Sequence, residues 1–182
     1  MVKLEEVFPC IVPERYLTEV GASNCIHRPF GNGLLAMLVI DAGNSIRSLS
    51  PGEIGALVES LDDAWDLAIY NLDQKFQRQE VVVNVVAYPS GEKAAFIGPT
   101  YLAPALLLHP GAFAWLGQLL GAEDLVATVP ERDAAFVYSS SAAGDVLAGA
   151  EKFAAEAAAN SRKPYGRNLF RLGGAGVEPL PA

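Results

Sequence analysis

Between residues 54 and 76, apolar residues recur every three or four positions, which is the spacing of one face of an α-helix. Just upstream, Ser50-Pro51-Gly52-Glu53 has the order of a helix start, with a serine cap, a proline at the first helical position and an acid at the third. The apolar positions are Ile54, Leu57, Val58, Leu61, Trp65, Ala68, Ile69, Leu72 and Phe76. The pattern predicts one long helix over residues 51–76.

The segment before this helix predicts a β-hairpin. Residues 34–40 are a nearly continuous apolar run, typical of a strand buried on both faces, and the short alternating segment 45–49 follows a turn and pairs back. The order strand, strand, helix then recurs twice, with starts about 45 residues apart. The later elements are strands at 81–88 and 94–97 with a helix at 110–120, and strands at 125–129 and 134–138 with a helix capped by Ser139, Ser140 and Ser141.

These elements predict an α+β fold in which about three ββα-like units pack helices on a mainly antiparallel sheet. We expect a single domain over residues 1–172, with an extended N-terminal segment at 1–30, a core at 31–172 and a loose C-terminal tail at 173–182. Within the first segment, the two prolines of 7–13 exclude a helix interior, so a short edge strand or an extended segment fits there, and residues 25–30 form another possible strand. Residues 98–110 stay open, because a short apolar run interrupted by Pro104 fits a strand or a helix.

Composition limits the choice of partner. The chain has 182 residues, of which 51% are hydrophobic and 19% charged, and a net charge of −8. That charge argues against nucleic acid as a partner. No apolar run reaches the roughly 18 residues of a membrane helix, and acids stand near the N-terminus where a secretion signal has its apolar core. The chain is therefore expected to be cytoplasmic, with no membrane partner.

Few residues indicate a cofactor or metal, and none is expected. Cys10 and Cys25 are too few for a zinc module, and two buried thiols are favoured over a disulfide. Asp62, Asp63 and Asp66 form an acidic stretch that suits Mg²⁺ or acid–base work, but they lie opposite the apolar face of the long helix. A solvated helix face is the better interpretation.

Two polar groups stand out as binding candidates. Arg132 and Asp133 follow Pro130-Glu131 at a hairpin turn, where they are either the polar tip of the turn or a rigid pair that grips a ligand or a partner. A second group is the local basic cluster of this acidic chain, which either binds an anion or an acidic surface or neutralises the protein's own acids. The cluster comprises Arg162, Lys163, Arg167 and Arg171.

Catalytic patterns are weak. A Gly-x-Ser-x-Gly elbow is absent, and Ser139-Ser140-Ser141 is better explained as helix capping than as a nucleophile cluster. Any triad has to use one of the two histidines. His109 is interpreted as the residue that precedes a helix, and His27 as an exposed or half-buried strand residue.

Four segments carry a resemblance to a known family. They are Ala-Ile-Tyr-Asn-Leu at 68–72, Ala-Leu-Leu-Leu at 105–108 before a proline and an aromatic-rich helix, Val-Ala-Thr-Val-Pro-Glu-Arg-Asp at 126–133, and Asn-Leu-Phe-Arg at 168–171. This order resembles the bacterial YtpQ-like family of unknown function over about residues 34–172. The resemblance implies a bacterial cytosolic α+β protein and no particular activity. It also marks Asn71, Arg132, Asp133 and Arg171.

The favoured function is a non-enzymatic protein-interaction or adaptor module, with a partner protein or a homo-oligomer as its complement. A mean hydropathy of +0.24 is high for a small acidic domain, and self-association would cover exposed apolar area. The alternative is a small-molecule-binding protein or weak hydrolase that uses Arg132 and Asp133 with a histidine. That alternative requires a concave pocket that holds His27 or His109 together with a carboxylate.

Overall fold

The computed structural model describes residues 2–43, 45–162, 164–173 and 176–181. Its contacts divide the chain into two compact units, an N-terminal unit, Met1–Glu80, and a C-terminal unit, Val81–Ala182. Helices and antiparallel sheets occur in both, so the predicted α+β class is confirmed. The prediction of a single domain stays a prediction.

The N-terminal unit contains one antiparallel sheet. Its strands are β1 (Val7–Pro13), β2 (His27–Gly31), β3 (Leu34–Asp41) and β4 (Ile46–Ser48), and its helices are α1 (Tyr16–Val20) and α2 (Leu61–Gln77). The strand order is β1-β3-β2, and β4 also pairs with β3. The apolar run at 34–40 is buried throughout, as the sequence predicts for a strand with neighbours on both sides.

Helix α2 buries one side against β1. Ala64, Trp65, Ala68 and Leu72 are its buried apolar residues, and the acids Asp62, Asp63 and Asp66 are exposed, which confirms the solvated-face interpretation. The guanidinium of Arg28, on β2, lies 4.1 Å from the centre of the Trp65 ring. The periodic pattern therefore identifies the buried face of α2 correctly.

The predicted start of this helix is wrong. Residues Pro51–Ala56 form a 3₁₀ helix, and the α-helix begins ten residues later at Leu61. The Ser60 hydroxyl accepts a hydrogen bond from the Asp63 N–H at 3.1 Å and so caps α2. Gly52 and Gly55 are poor helix formers, and this weakens the upstream turn as a site of α-helix nucleation.

The C-terminal unit contains a six-stranded antiparallel sheet in the order β10-β9-β7-β8-β6-β5. Its strands are β5 (Val83–Ala87), β6 (Lys93–Ile97), β7 (Leu125–Glu131), β8 (Ala134–Ser139), β9 (Leu169–Gly173) and β10 (Gly176–Leu180). Its helices are α3 (Ala112–Leu120) and α4 (Gly144–Asn160). With β3, β4 and α2 in the N-terminal unit, the order strand, strand, helix occurs three times, as predicted.

Aromatic packing holds α4 on this sheet. The Phe153 ring stacks on Phe136 of β8 with centroids 5.3 Å apart, and it meets Phe96 of β6 edge-on at 5.2 Å. Val146 and Ala150 of α4 are buried in the same cluster. These contacts anchor α4 across β6 and β8.

The open region at 98–110 contains a 3₁₀ helix at Pro104–Leu108, so neither a strand nor an α-helix forms there. Gly98 has a φ of +143°, and a side chain on it would lie 2.7 Å from the Asp133 carbonyl oxygen. The Thr100 N–H donates to that same oxygen at 3.0 Å. This segment is therefore supported by the turn between β7 and β8.

Three sequence predictions need correction. The 1–30 segment is not separate from the core, because the edge strand predicted at 7–13 forms as β1, is buried and pairs with β3, and β2 is a strand of the same sheet. The 173–182 tail is not loose where it is described, because β10 pairs with β9; Pro179 is tolerated there since β10 is an edge strand. The serines do not cap α4, because its cap residue is Ala143, whose N–H donates to Glu92 Oε2 at 2.7 Å.

Within the described ranges, no helix is both long and apolar enough to span a membrane.

Candidate functional site

Asn71 lies buried on α2 and has a structural partner set. Its side-chain amide donates to the carbonyl of Leu4 at 2.7 Å and to that of Val7 at 2.9 Å. Both amide donors are therefore committed to the backbone at the start of β1. This arrangement fits a clamp on the N-terminal strand better than the ligand contact that the sequence suggested.

Arg132 and Asp133 lie at the tip of the β7–β8 turn, as predicted. The guanidinium of Arg132 donates to both carboxylate oxygens of Asp133, from Nε at 2.8 Å and from the terminal nitrogen at 3.2 Å. The two side chains therefore form an ion pair with each other at the surface. Their geometry matches the polar-tip interpretation of the turn.

The basic cluster is only partly brought together. Arg167 lies in the segment before β9, and its guanidinium is 3.5 Å from the carboxylate of Glu151 on α4. Arg171 is exposed on β9, where Glu178 of β10 is its cross-strand neighbour. Arg162 is exposed just after α4, and Lys163 lies outside the described residues.

Both histidines occupy the structural positions that the sequence predicts, one before a helix and one on a strand. His109 accepts a hydrogen bond at Nδ1 from the Gly111 N–H at 3.1 Å just before α3, and His27 is a half-buried residue of β2. His27 Nδ1 is buried and has no hydrogen-bond partner in the described part of the chain.

Cys10 and Cys25 are buried and form no disulfide with each other, as predicted, and burial raises the pKa of the Cys25 thiol. Among described residues, no group of three or more His, Cys, Asp or Glu is placed to hold a metal.

The first surface feature that sequence reasoning missed is the free edge of β5. This strand ends the six-stranded sheet, and its apolar side chains are unusually open. Val82 just before it is 45% exposed, and Val85 and Val86 within it are 41% and 43% exposed. The valine-rich segment predicts a strand, but nothing in it indicates that this strand lies at an edge.

The hydrogen-bond pattern shows which backbone groups of β5 are open. The Gly98 N–H donates to the Val82 carbonyl at 3.0 Å, and the Tyr88 N–H donates to the Glu92 carbonyl at 2.9 Å. In an antiparallel pair, bonded and non-bonded residues alternate, so residues 82, 84, 86 and 88 face β6. The N–H and C=O groups of Val83, Val85 and Ala87 consequently point away from the sheet.

Other edge strands of the two sheets carry features that discourage pairing. Proline occurs in β1, β2 and β10, at Pro9, Pro13, Pro29 and Pro179, and β4 is three residues long with an arginine at its centre. Prolines, charges and shortness are the usual protections of an exposed edge. The β5 sequence, Val-Asn-Val-Val-Ala, has no proline, glycine or charge.

A second feature is a cleft of about 610 Å³ between α4 and the sheet, here called the α4 cleft. Its floor includes Thr128 of β7 and Tyr138 of β8, and Arg167 and Leu169 line the side opposite α4. The α4 side is formed by Leu147, Glu151 and four alanines, namely Ala150, Ala154, Ala155 and Ala158. Neither histidine, nor Arg132 or Asp133, lines it, so this cleft does not supply the pocket that the hydrolase alternative requires.

Both floor residues are almost fully buried, Thr128 at 4% and Tyr138 at 6% exposure. Burial raises the pKa of the Tyr138 phenol, while Arg167 lowers it and Glu151 raises it. The two charged side chains are therefore close enough to influence the hydroxyl. The resemblance segment 126–133 includes Thr128, but no sequence signal marked Thr128 or Tyr138 as a site residue, because each looks like an ordinary strand residue.

No family model matches the chain, and neither the curated proteins nor the solved structures include a significant match to it.

Proposed function

We propose that this protein is an interaction module that self-associates by pairing β5 of one copy with β5 of a second copy. The observation that carries the proposal is an edge strand with outward backbone groups, exposed valines and none of the usual protections. Pairing of this kind satisfies main-chain groups and buries alternate side chains. The YtpQ-like resemblance, itself a proposal, is compatible with such a role and adds no activity to it.

The outward groups of β5 are self-complementary about Val85. An antiparallel pair with Val85 on the two-fold axis places Val83 opposite Ala87 of the second copy, and Val85 opposite its own equivalent. Residues on β5 with outward groups then meet only residues that also have outward groups, and each such pair exchanges two hydrogen bonds. Pro89 ends the ladder, because it has no N–H to donate to the equivalent of Val81.

The side chains also agree with this register. Val83, Val85 and Ala87 lie on one face and meet the same three residues of the second copy. On the other face, Asn84 lies opposite Val86, and Val82 lies opposite Tyr88. Every cross-strand pair in the ladder is uncharged.

Charge favours a second copy over an unrelated strand. The chain carries a net charge of −8, yet β5 carries none, so two copies meet at a neutral part of an acidic surface. A basic or acidic partner segment finds no opposite charge on β5 itself. A closed two-fold dimer also removes both free edges, which an open chain of copies does not.

The oligomeric state of the full chain tests the proposal. Light scattering coupled to size exclusion, over a concentration series, is expected to show a dimer that dissociates on dilution. Val85→Pro removes an outward N–H and leaves the bonds to β6 in place, so it is expected to give a folded monomer. Ile46→Lys is the matched control, since Ile46 is a similarly exposed strand residue, at 42%, in the N-terminal unit.

A cysteine at the axis tests the register. In a bonded antiparallel pair the two Cα atoms are about 5.5 Å apart, within the range that a disulfide spans. Val85→Cys is therefore expected to form a covalent dimer under mild oxidation, whereas Val83→Cys, whose two copies lie far from the axis, is not. A wild-type chain that is monomeric at every concentration would contradict self-association. The edge of β5 would then pair with a strand of another protein or with no partner. Equal cross-linking by both variants would contradict the register.

A further inference from the structure

The α4 cleft exists because the residues of α4 that face the sheet differ in side-chain size. Phe153 fills one side by packing on Phe96 and Phe136. Beside it, Ala150, which belongs to the same buried cluster, is followed at steps of four by Ala154 and Ala158, and these small residues leave space above the sheet. The resulting volume of about 610 Å³ lies within the range of small-molecule pockets.

The floor of the cleft carries two hydroxyl groups. Thr128 pairs with Phe136 and Val126 pairs with Tyr138, so Thr128 and Tyr138 are diagonal neighbours on one face of the sheet. Among residues that the structure describes, no hydrogen bond involves either side-chain hydroxyl. Both side chains are more than nine-tenths buried, but neither hydroxyl is itself a buried atom without a partner, since His27 Nδ1 alone has that status among described residues. The two hydroxyls line the cleft and are therefore available to polar atoms of an occupant.

The rim of the cleft carries one weak ion pair. Arg167 and Glu151 approach to 3.5 Å, and each side chain is 74% exposed. Exposed pairs of this kind contribute little and are easily exchanged. The Arg167 guanidinium is therefore able to leave Glu151 for a better acceptor, such as a carboxylate that it binds with two parallel hydrogen bonds.

We propose that the α4 cleft binds a small monocarboxylate with an apolar body. The ligand's carboxylate accepts hydrogen bonds from the Tyr138 and Thr128 hydroxyls and from Arg167, and it replaces Glu151 as the partner of that arginine. The apolar body lies against Leu147, Leu169 and the alanines of α4. This site is separate from β5, so it does not depend on the dimer.

A matched set of probes tests the charge requirement. Isothermal titration calorimetry with 4-phenylbutyrate, its neutral primary amide and the cationic 4-phenylbutylamine compares one apolar body with three head groups. The carboxylate is expected to bind about tenfold more tightly than the amide, and the amine is expected not to bind. Absence of carboxylate binding, or equal binding of all three probes, would overturn the proposal.

Variants at the rim are expected to move affinity in opposite directions. Arg167→Gln weakens carboxylate binding about tenfold, whereas Glu151→Gln strengthens it about threefold because the competing carboxylate is gone. Lys152→Gln is the control for Arg167→Gln, because it also removes one positive charge. Lys152 lies on α4, and neither it nor its ion-pair partner Glu156 lines the cleft. A similar loss in Lys152→Gln and Arg167→Gln would show that net charge, and not the site, sets the affinity.

Variants at the floor separate the hydroxyls from packing. Tyr138→Phe keeps the ring and removes the hydroxyl, and it is expected to weaken carboxylate binding about fivefold. Thr128→Val does the same for the second hydroxyl with almost no change of shape. Circular dichroism and a urea transition establish that both variants fold. Unchanged affinity in both folded variants would overturn the assignment of the floor, whatever the oligomeric state.

Discussion

Asn168 and Val129 form a two-way amide clamp between the segment before β9 and strand β7. The Val129 N–H donates to Asn168 Oδ1 at 2.9 Å, and Asn168 Nδ2 donates to the Val129 carbonyl at 2.7 Å. The side chain thus replaces a neighbouring strand just beyond the end of the ladder between β7 and β9, since that pairing covers residues 125–127 of β7. Both partners are buried, so their backbone groups have no access to bulk water as a substitute.

Asn168→Ala is expected to destabilise the protein by about 2 to 3 kcal/mol, because two buried backbone groups lose their partners. Equilibrium unfolding in urea, followed by circular dichroism, measures the change. Asn160→Ala is the matched control, since the Asn160 amide makes only a local, exposed bond to the Glu156 carbonyl, and it is expected to change the free energy of unfolding by less than about 0.5 kcal/mol. Equal losses in the two variants would contradict the clamp.

Asn71 makes a related clamp in the N-terminal unit. Asn71→Ala removes both donors to the Leu4 and Val7 carbonyls, and about 2 kcal/mol of stability is expected to be lost. Amide hydrogen exchange is expected to accelerate most in β1, whose start loses its link to α2. Asn160→Ala serves as the control, because the Asn160 amide makes only a local, exposed bond to the Glu156 carbonyl.

The two asparagines show where sequence reasoning ends. The sequence shows that both residues are asparagines close to predicted strands. However, the partners of Asn71 lie 64 and 67 residues away along the chain, and Val129 lies 39 residues from Asn168. Only the folded chain brings these groups together. The YtpQ-like resemblance marked Asn71 as a residue of interest, and the geometry gives a structural reason for it.

Gly98 is expected to tolerate no side chain. Its φ of +143° is unfavourable for other residues, and an added Cβ would lie 2.7 Å from the Asp133 carbonyl oxygen, which also accepts from the Thr100 N–H. Gly98→Ala is therefore expected to cost about 2 kcal/mol or more in urea unfolding. Gly144→Ala at the start of α4 meets nothing within 4 Å and is expected to be neutral or stabilising. A neutral Gly98→Ala would contradict the close approach.

Local patterns predicted the elements well and their surroundings poorly. The Ser50–Glu53 motif starts a 3₁₀ helix and not the predicted long α-helix, because a cap does not distinguish the two, and α2 begins after its own cap, Ser60. The valines of β5 predicted a strand because β-branched residues favour one. Their exposure depends on the order of strands in the sheet, which is set by long-range pairing. The open edge of β5 and the α4 cleft could not be predicted from the sequence, because both depend on long-range packing.

The ion pair between Arg47 and Glu53 predicts a pH dependence of stability. Hydrogen bonds from the Arg47 side chain, with bonds from Ser50, lower the pKa of Glu53 from its usual 4.5 to about 2. A carboxyl whose pKa is lower in the folded state stabilises the protein above its unfolded pKa, and this contribution is lost as the pH falls from about 4.5 towards 2. Arg47 is half exposed, so we expect a contribution of only about 1 kcal/mol at neutral pH.

Glu53→Gln isolates that contribution. Glutamine keeps an acceptor for the Ser50 N–H, which Glu53 Oε2 binds at 3.0 Å, and removes the charge that pairs with Arg47. In urea unfolding, the variant is expected to be about 1 kcal/mol less stable than the wild type near pH 6 and nearly equal to it near pH 2.5. Glu59→Gln, at an exposed residue between the 3₁₀ helix and α2, is expected to differ little from the wild type at either pH. A difference for Glu53→Gln that persists unchanged into acid would mean that the loss comes from the cap and not from the ion pair.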